Sequence, residues 1–472
     1  MISSLTFPSS GVVRSGAAVF QSLFMAAVAL FIAGAVNASE PDDEVAELSM
    51  KMLAVFGDEK SVYIDKLAAL EDKSLIPTFV LGMRWTRGDG RIAKALSTLA
   101  GEEISTWHQA YQWQERHPEI TPHPSFRDLK LWYLAKRDKR FVPLFQPPHG
   151  TREKMRIRFE EVVWGGTLYD GIPPLESPSM IAADDADYLL DDDLVFGVNI
   201  NGDIRAYPLR IMGWHEMLND TIGDVPVSLA YCTLCGSGIL YETQVKGRDK
   251  PFDFGSSGLL YRSNKLMLDR ETASLWNQFS GEPVVGSLAQ SGIKLNIRPM
   301  AITTWSDWKS RNPRTTVLSL ETGFARNYDS GFVYHRYFTS PNLMFPASVG
   351  DESVVARKDY IFGLRNIAGS KAWPLEVFGD KPIINDKVGR QSVVLIGDIT
   401  SRSVRAYERD ANEVFELMAD NSLVTNETVW EVQESFLVSA DGKSKRARVA
   451  GHLAYWFAWD SFVGLSSELY QD

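Results

Sequence analysis

Cysteine is scarce in this sequence, which holds only Cys232 and Cys235 among its 472 residues. Two cysteines cannot build the disulfide framework of a small secreted fold, so the stability of this protein must come from hydrophobic cores. Hydrophobic residues make up 44% of the chain and aromatic residues 11%, which is enough for such cores and excludes wholesale disorder. The cysteine pair therefore calls for a local explanation.

An excess of positive charge is missing as well. Lys and Arg total 49, Asp and Glu total 60, and the formal net charge is −11. Proteins that bind nucleic acids normally present a basic patch, so we expect no nucleic-acid partner. The length of 472 residues exceeds one ordinary domain, and about two to four domains are expected.

Long apolar runs are confined to the first 38 residues. Arg14 is the only charged side chain before Glu40, and an apolar stretch over 17–36 follows it. The segment 36–38, Val-Asn-Ala, places small residues at the positions that a signal peptidase reads. We therefore predict a signal peptide over 1–38 and a periplasmic or secreted protein. Because about 20 apolar residues also span a bilayer, the alternative is an N-terminal membrane anchor with the protein facing the periplasm.

Residues 40–150 are predicted to form an α-helical module. Leu48, Met52 and Phe56 recur at the spacing of one helix face, and Ser125 stands where it can cap a later helix. The Pro-Pro-His-Gly stretch that ends this segment breaks helices and predicts a boundary. The sequence names no protein partner for the module.

From about residue 155 the chain changes to short β-branched and aromatic runs separated by Gly, Pro, Asn and Asp, which predicts strands. Part of this region recurs 166 residues later without a gap. The matching segments are Leu194–Val198 with Tyr360–Leu364, Arg205–Leu209 with Lys371–Leu375, and Asn219-Asp220 with Asn385-Asp386. The predicted fold class is α+β, with the N-terminal α-helical module followed by a tandem-duplicated, mainly antiparallel β domain. We place the first β unit at 155–345 and a second, degenerate copy at 346–472.

The two copies offer an internal comparison. Positions that both copies share are interpreted as architectural, and positions at which the copies differ are candidates for function. In the second copy, Trp214 is replaced by Asp380, His215 by Lys381, Cys232 by Asp398 and Cys235 by Ser401. Any chemistry is therefore predicted to lie in the first unit.

The cysteines belong to the sequence Cys-Thr-Leu-Cys-Gly over 232–236, which is predicted to form a tight turn between the strands Val225–Tyr231 and Ile239–Val245. In such a turn the two thiolates point to the same side, and the distance between their sulfur atoms suits two ligands of a tetrahedral metal ion. If the segment around His215 is a short helix or strand beside this hairpin, His215 completes a three-ligand site, with Met217 as a further ligand. Thiolate and imidazole suit copper and zinc, so the leading prediction is a copper or zinc site.

Two other interpretations of the cysteine pair stay open. Cys-x-x-Cys is the usual spacing of a dithiol–disulfide redox pair, and a nearby His215 could lower a thiol pKa. Thioredoxin-like enzymes carry that motif at the start of a helix, whereas here it lies between strands, so a thiol–disulfide oxidoreductase would have another fold. The third interpretation is a non-catalytic binding or scaffolding protein, in which the cysteines only hold a turn.

Further polar and aromatic residues of the first copy are predicted to line a pocket or to support the metal ligands. They are Trp214, Asp220, Ser257, Asp269, Arg270 and Trp276. No catalytic residue is assigned, apart from Cys232 and Cys235 in the redox interpretation.

Several motifs stand in an order that resembles a known family. They are Trp214-His215-Glu216, Tyr231–Gly236, Ser257-Gly258-Leu259, Asp269-Arg270-x-Thr272-x-Ser274-Leu275-Trp276 and Thr304-Trp305-x-x-Trp308. Together they resemble the bacterial domain-of-unknown-function family 3179 (DUF3179) over roughly residues 160–400. The resemblance implies an exported or membrane-associated protein and implies no mechanism. Members usually have proline after the first cysteine, where this chain has Thr233, which loosens the turn and keeps both thiols in place.

Overall fold

The computed structural model describes residues 41–151 and 154–471. The predicted signal peptide or anchor over 1–38 lies outside the described residues. Within the described ranges, no helix combines the length and the apolar character that crossing a membrane requires.

The N-terminal part of the described chain is helical. Its α-helices are α1 (Pro41–Ala54), α2 (Glu59–Ala68), α3 (Ile76–Thr86), α4 (Gly90–Ala100), α5 (Trp107–Arg116) and α6 (Phe126–Ala135). Each helix buries an apolar face, as Met52 of α1 and Leu96 of α4 illustrate. A capping box begins α5, because the Thr106 hydroxyl accepts the Gln109 N–H while the Gln109 side chain accepts the Thr106 N–H.

Two details of the helix prediction are wrong. Since α1 ends at Ala54, Phe56 lies outside it and is exposed. Ser125 does precede α6, but its hydroxyl bonds the ring of His123 and makes no cap hydrogen bond to the helix.

The first β unit follows as strands with two short helices. Its strands are β1 (Val162–Trp164), β2 (Leu175–Glu176), β3 (Met180–Ala182), β4 (Leu194–Ile200), β5 (Asp203–Pro208), β6 (Met217–Ile222), β7 (Val225–Cys232), β8 (Ser237–Glu242), β9 (Phe254–Tyr261), β10 (Asn264–Asp269), β11 (Leu275–Asn277), β12 (Glu282–Val285), β13 (Ile297–Arg298), β14 (Ala301–Thr304) and β15 (Thr316–Leu318). Helix α7 (Leu209–His215) lies between β5 and β6, and α8 (Trp305–Arg311) lies between β14 and β15.

The short helix α9 (His335–Phe338) follows β15 within the predicted bounds of the first unit, and the second unit comes after it. Its elements are β16 (Tyr360–Asn366), β17 (Gly369–Pro374), α10 (Val377–Asp380), β18 (Ile383–Val388), β19 (Gln391–Asp398), β20 (Ser403–Glu408), β21 (Glu416–Leu417), β22 (Leu423–Thr425), β23 (Thr428–Val432), β24 (Phe436–Ser439), β25 (Lys445–Val449), β26 (Gly451–Tyr455), α11 (Trp456–Val463) and β27 (Ser467–Leu469).

The strands form five sheets in the described chain. Their strand orders are β1-β9-β10-β11-β12, β13-β8-β7-β6-β2, β14-β4-β5-β15-β3, β26-β16-β17-β27 and β18-β19-β20-β25-β24-β23-β22-β21. Neighbouring strands are antiparallel, apart from the parallel pairs β2 with β6, β5 with β15, and β17 with β27. The predicted α+β class, with helices first and a mainly antiparallel β region after them, is confirmed.

The duplication is visible in the element bounds. Strands β4 to β8 of the first unit and β16 to β20 of the second begin and end at positions that differ by 166 residues throughout. One side-chain hydrogen bond recurs at equivalent positions. Tyr207 donates to Asp220 in the first unit, and Trp373 donates to Asp386 in the second.

The repeat also has a second half that the sequence comparison missed. Strand β14 lies antiparallel to β4 and β15 lies parallel to β5, and β26 and β27 pair in the same way with β16 and β17. Between these strands, Trp305 and Trp308 correspond to Trp456 and Trp459, at an offset of 151 residues. The offset changes because the inserted segments that precede β14 and β26 differ in length.

The repeated indoles pack on repeated glycines, which gives a stability prediction. A Cβ atom at Gly363 of β16 would overlap the ring of Trp459, and one at Gly197 of β4 would overlap Trp308. Gly363→Ala should therefore lower the free energy of unfolding by about 1–3 kcal/mol, because the core must shift to admit the methyl group. Gly379→Ala is the control, since its Cβ would meet nothing nearer than 3.8 Å. Denaturant unfolding compares the two, and equal midpoints would contradict the packing described.

Strand β10 connects the helical module with the cysteine hairpin. The helices share one hydrophobic core with the sheet that contains β10, and Leu266 and Leu268 face that core. Side chains alternate along a strand, so Lys265 and Met267 face the opposite side. Met267 enters a separate core cluster, and Lys265 lines a cleft beside the cysteines.

Candidate functional site

The two cysteines lie at the tip of the predicted hairpin. Strands β7 and β8 pair antiparallel up to Cys232 opposite Ser237, and a single 3₁₀ turn over Thr233–Cys235 connects them. Gly236 ends the turn with a φ of 60°, and a Cβ there would lie 2.9 Å from the ring of Tyr360. The turn therefore requires glycine both for its backbone and for the close approach of the second unit.

Cys235 lies at the back of the turn and is fully buried. Its sulfur accepts a hydrogen bond from Asn264 Nδ2 at 3.1 Å and donates to the carbonyl oxygen of Ser263 at 3.5 Å. The Gln278 side chain accepts a second hydrogen bond from Asn264 and donates to the Ala230 carbonyl, which fixes the amide that faces the sulfur. Both cysteines are free thiols.

Cys232 faces a narrow cavity, which we call the inner cleft. Its polar lining includes Cys232, Thr233, Glu216, Lys265 and Tyr334, and its apolar walls include Ile172, Leu260 and Phe345. The volume of the inner cleft is about 50 Å³, which admits only a few atoms. Cys232 itself is 2% exposed.

A buried ion pair lies in the inner cleft. Lys265 Nζ is 2.6 Å from Glu216 Oε2, and the two side chains are 4% and 9% exposed. The other carboxylate oxygen of Glu216 accepts from the Thr233 hydroxyl at 3.2 Å and from the Tyr334 hydroxyl at 3.3 Å. Glu216 is placed there by a left-handed backbone conformation at the end of α7.

The pKa values of the two thiols diverge. Burial raises the pKa of Cys232, but the Cys235 thiol, the backbone N–H of Lys265 and the Lys265 ammonium together outweigh burial and lower it below its usual value. The pKa of Cys235 is raised, first by burial and then by its interaction with Cys232. Cys232 therefore loses its proton more readily than Cys235.

A larger cavity, which we call the vestibule, adjoins the inner cleft. The vestibule has a volume of about 310 Å³, and both cavities are lined by Thr167, Ile172, Glu216 and Tyr334. Trp214 and Arg326 lie on its wall, with the guanidinium 5.6 Å from the indole centre. A volume of this size is in the range of small-molecule sites.

The second unit forms the same turn without cysteine. At the positions of Cys232 and Cys235 it has Asp398 and Ser401, and the Ser401 hydroxyl donates to the Asp398 carboxylate at 2.7 Å. A side-chain hydrogen bond is therefore enough to close this turn, so the turn does not by itself require two sulfur atoms.

The family described as "Protein of unknown function (DUF3179)" matches residues 169–466. The chain belongs to the DUF3179 family. No curated protein and no solved structure matches the chain significantly. The matched DUF3179 region contains strands β4 to β8 and β16 to β20 of the repeat and most of the cleft residues. It extends past the predicted limit of 400 to include the second pair of indoles.

His215 of the DUF3179 region lies on a short helix beside the hairpin, as the sequence suggested. Its Nδ1 is 2.8 Å from the Pro173 carbonyl oxygen and its Nε2 is 2.6 Å from the Tyr328 hydroxyl. Burial lowers the pKa of His215, so the ring is neutral, donates to Pro173 and accepts from Tyr328. With both nitrogens engaged, His215 anchors the loop that carries Tyr328.

The predicted metal ligands are not assembled into one set. Nowhere in the part of the chain that the structure describes do three or more His, Cys, Asp or Glu side chains form a group that could hold a metal ion. Met217 is fully buried in a core cluster that also contains Trp276. The copper or zinc site stays a prediction, and its ligands as placed do not fit a metal ion without rearrangement.

The other predicted pocket residues are spread over the first DUF3179 unit. Trp214 lines the vestibule and donates to the Asn327 carbonyl. Asp220 pairs with Arg205, and the Ser257 hydroxyl bonds the Leu266 carbonyl inside the β9–β10 hairpin.

Two further predicted residues form contacts outside both cavities. Asp269 accepts hydrogen bonds from the Thr272 hydroxyl and backbone and so fixes the β10–β11 turn. Arg270 pairs with Asp170 and Glu176. Of the predicted site residues, only Trp214 and Cys232 line the two cavities, and Cys235 lies directly behind Cys232.

Sequence reasoning missed Glu216, Lys265 and Tyr334 as site residues. For Glu216 a signal existed, because the second copy has Pro382 at the corresponding position. Lys265 belongs to the segment between β8 and β14. The sequence of this segment does not align with any part of the second copy. The position of Lys265 could not be inferred from the repeat.

Proposed function

We propose that Cys232 and Cys235 form a dithiol–disulfide redox centre, in which Cys232 attacks the oxidant and Cys235 completes the disulfide. The observation that carries the proposal is the unequal placement of two thiols in one turn. Cys232 faces the inner cleft, and Cys235 lies behind it, held by Asn264 and Ser263. An attacking thiolate in front of a protonated resolving thiol is the arrangement that redox-active cysteine pairs use.

The chemistry balances over two steps. The Cys232 thiolate attacks an electrophilic atom of the oxidant and displaces a leaving group, which gives an oxidised Cys232 bonded to part of the oxidant. Cys235 then attacks Cys232 Sγ, the second part leaves, and the S–S bond forms. The two thiols lose two protons and two electrons to the oxidant, and an external thiol reductant returns them by disulfide exchange.

The ion pair of the inner cleft supports the first step. The Lys265 ammonium favours the Cys232 thiolate by its charge, and its backbone N–H favours the thiolate by a hydrogen bond. Glu216 holds the ammonium in place with one carboxylate oxygen. Lys265 is a positioning and electrostatic group, since no atom of it is transferred.

The alternatives receive less support from the geometry. A metal centre on Cys232, Cys235 and His215 requires His215 to give up at least one of its two partners, Pro173 and Tyr328. A purely structural role for the cysteines has to account for the second unit, which closes the same turn with Asp398 and Ser401.

A redox titration tests the proposal. The protein is equilibrated in thiol–disulfide buffers of stepped potential, quenched with acid, and its free thiols are alkylated and counted by mass spectrometry. We expect one disulfide between Cys232 and Cys235 with a potential above about −300 mV, the limit below which structural disulfides of secreted proteins typically lie. A potential below that value would overturn the proposal, and so would the absence of a disulfide both in these buffers and after treatment with excess hydrogen peroxide.

A further inference from the structure

The two cavities in front of Cys232 differ sharply in size, and the difference restricts the oxidant. The inner cleft has a volume of about 50 Å³ and the vestibule about 310 Å³. Thiol–disulfide exchange depends on access, and a thiol that is 2% exposed inside such a cleft is poorly accessible to a disulfide on the surface of a folded protein. The oxidant is therefore a small molecule with a slim reactive end.

The direction of attack restricts the oxidant further. Displacement at sulfur or oxygen requires the thiolate, the attacked atom and the leaving atom to lie in line. Because the inner cleft has room for only a few atoms, the leaving group must extend away from Cys232 toward the vestibule. Each sulfur of an organic disulfide carries a carbon substituent, which would also have to fit beside Cys232. The terminal oxygen of a hydroperoxide carries only hydrogen.

We propose that the oxidant of the Cys232–Cys235 centre is a small organic hydroperoxide, whose apolar body occupies the vestibule and whose terminal oxygen reaches Cys232. The proposal rests on the redox function proposed above and names the substrate class of that site. The wall of the vestibule suits such a body, because Trp214, Ile172 and Val333 present apolar surface there.

The reaction is balanced without a bound cofactor. The Cys232 thiolate attacks the terminal oxygen, the O–O bond breaks, and Cys232 becomes a sulfenic acid. The leaving alkoxide takes a proton from water in the vestibule and departs as an alcohol. The Cys235 thiol then attacks the sulfenic acid sulfur, a water molecule leaves, and the disulfide forms. One hydroperoxide and two thiols thus give one alcohol, one water and one disulfide, which an external dithiol reduces again.

The experiment compares three oxidants on the reduced Cys235→Ser variant: cumene hydroperoxide, hydrogen peroxide and 2-hydroxyethyl disulfide. In this variant the sulfenic acid has no resolving thiol and can be trapped with dimedone and located by mass spectrometry. We expect cumene hydroperoxide to oxidise Cys232 at least about a hundredfold faster than it oxidises free cysteine at the same pH, and at least about tenfold faster than the disulfide reacts.

The outcomes separate this proposal from the one on which it rests. If the disulfide reacts faster than both peroxides, the hydroperoxide proposal is overturned and the redox centre stands. If none of the three oxidises Cys232, both are overturned. Should Cys235→Ser fail to fold, the wild-type protein decides the matter, because one equivalent of cumene hydroperoxide must then consume both thiols. The Trp214→Ala variant should lower the preference for cumene hydroperoxide over hydrogen peroxide, and Trp214→Phe should largely restore it.

Discussion

Replacing Cys232 by serine should remove nearly all thiol reactivity at neutral pH, whereas replacing Cys235 should leave a reactive thiol. The thiolate is the nucleophile, and the surroundings lower the pKa of Cys232 and raise that of Cys235. We expect the Cys232→Ser variant to be alkylated by iodoacetamide at pH 7 at least about tenfold more slowly than the Cys235→Ser variant.

The control for this comparison is the unfolded protein. In denaturant both cysteines lose their environment, so the two variants should react at the same rate. Cys235→Ser should also react somewhat more slowly than wild type, because the Cys235 thiol contributes to the lowered pKa of Cys232. Equal rates for the two folded variants would show that the environment does not distinguish the thiols, and the assignment of attacking and resolving roles would fall.

Lys265→Met should have the largest effect on stability. It leaves the Glu216 carboxylate buried without its cation, and breaking a buried ion pair in this way costs about 3–5 kcal/mol of the free energy of unfolding. The same substitution should raise the pKa of Cys232, because the nearby ammonium that lowers it is lost. Chemical denaturation measures the first effect, and the pH dependence of iodoacetamide alkylation measures the second.

A double variant separates the two effects of Lys265. Lys265→Met with Glu216→Met removes both charges, so most of the lost stability should return while the pKa of Cys232 stays raised. Lys265→Arg keeps the charge and should keep the pKa of Cys232 low. If the alkylation profile of Lys265→Met coincides with that of wild type, the ammonium does not act on Cys232, and its proposed role is wrong.

The local structure around the cysteines could be predicted from the sequence because short-range signals determine it. The alternating strand at 225–231 and the turn closed by Gly236 appear where the patterns indicate. The segment around His215, for which the sequence left a short helix and a strand open, is a helix. The register of the repeat was equally accessible, since Gly, Pro and Asx residues fix strand ends and turns in both copies.

The composition of the site could not be predicted, because it depends on contacts between distant segments. Glu216 and Lys265 are 49 positions apart, and they meet only because β10 turns the Lys265 side chain toward the end of α7. His215 illustrates the converse. It lies a short way before the cysteines in the chain, so the sequence suggests it as their partner. Its ring nitrogens are instead hydrogen-bonded to Pro173 and Tyr328, and no local sequence pattern indicates these contacts.

The redox centre is tested by counting free thiols through one redox cycle, together with elemental analysis of the same protein purified without chelator. We expect two thiols in the reduced protein, none after one equivalent of oxidant, and two again after treatment with a dithiol, with no copper or zinc near one equivalent. Thiols that survive the oxidant together with near-stoichiometric copper or zinc would contradict the redox centre and would favour a metal site on Cys232 and Cys235.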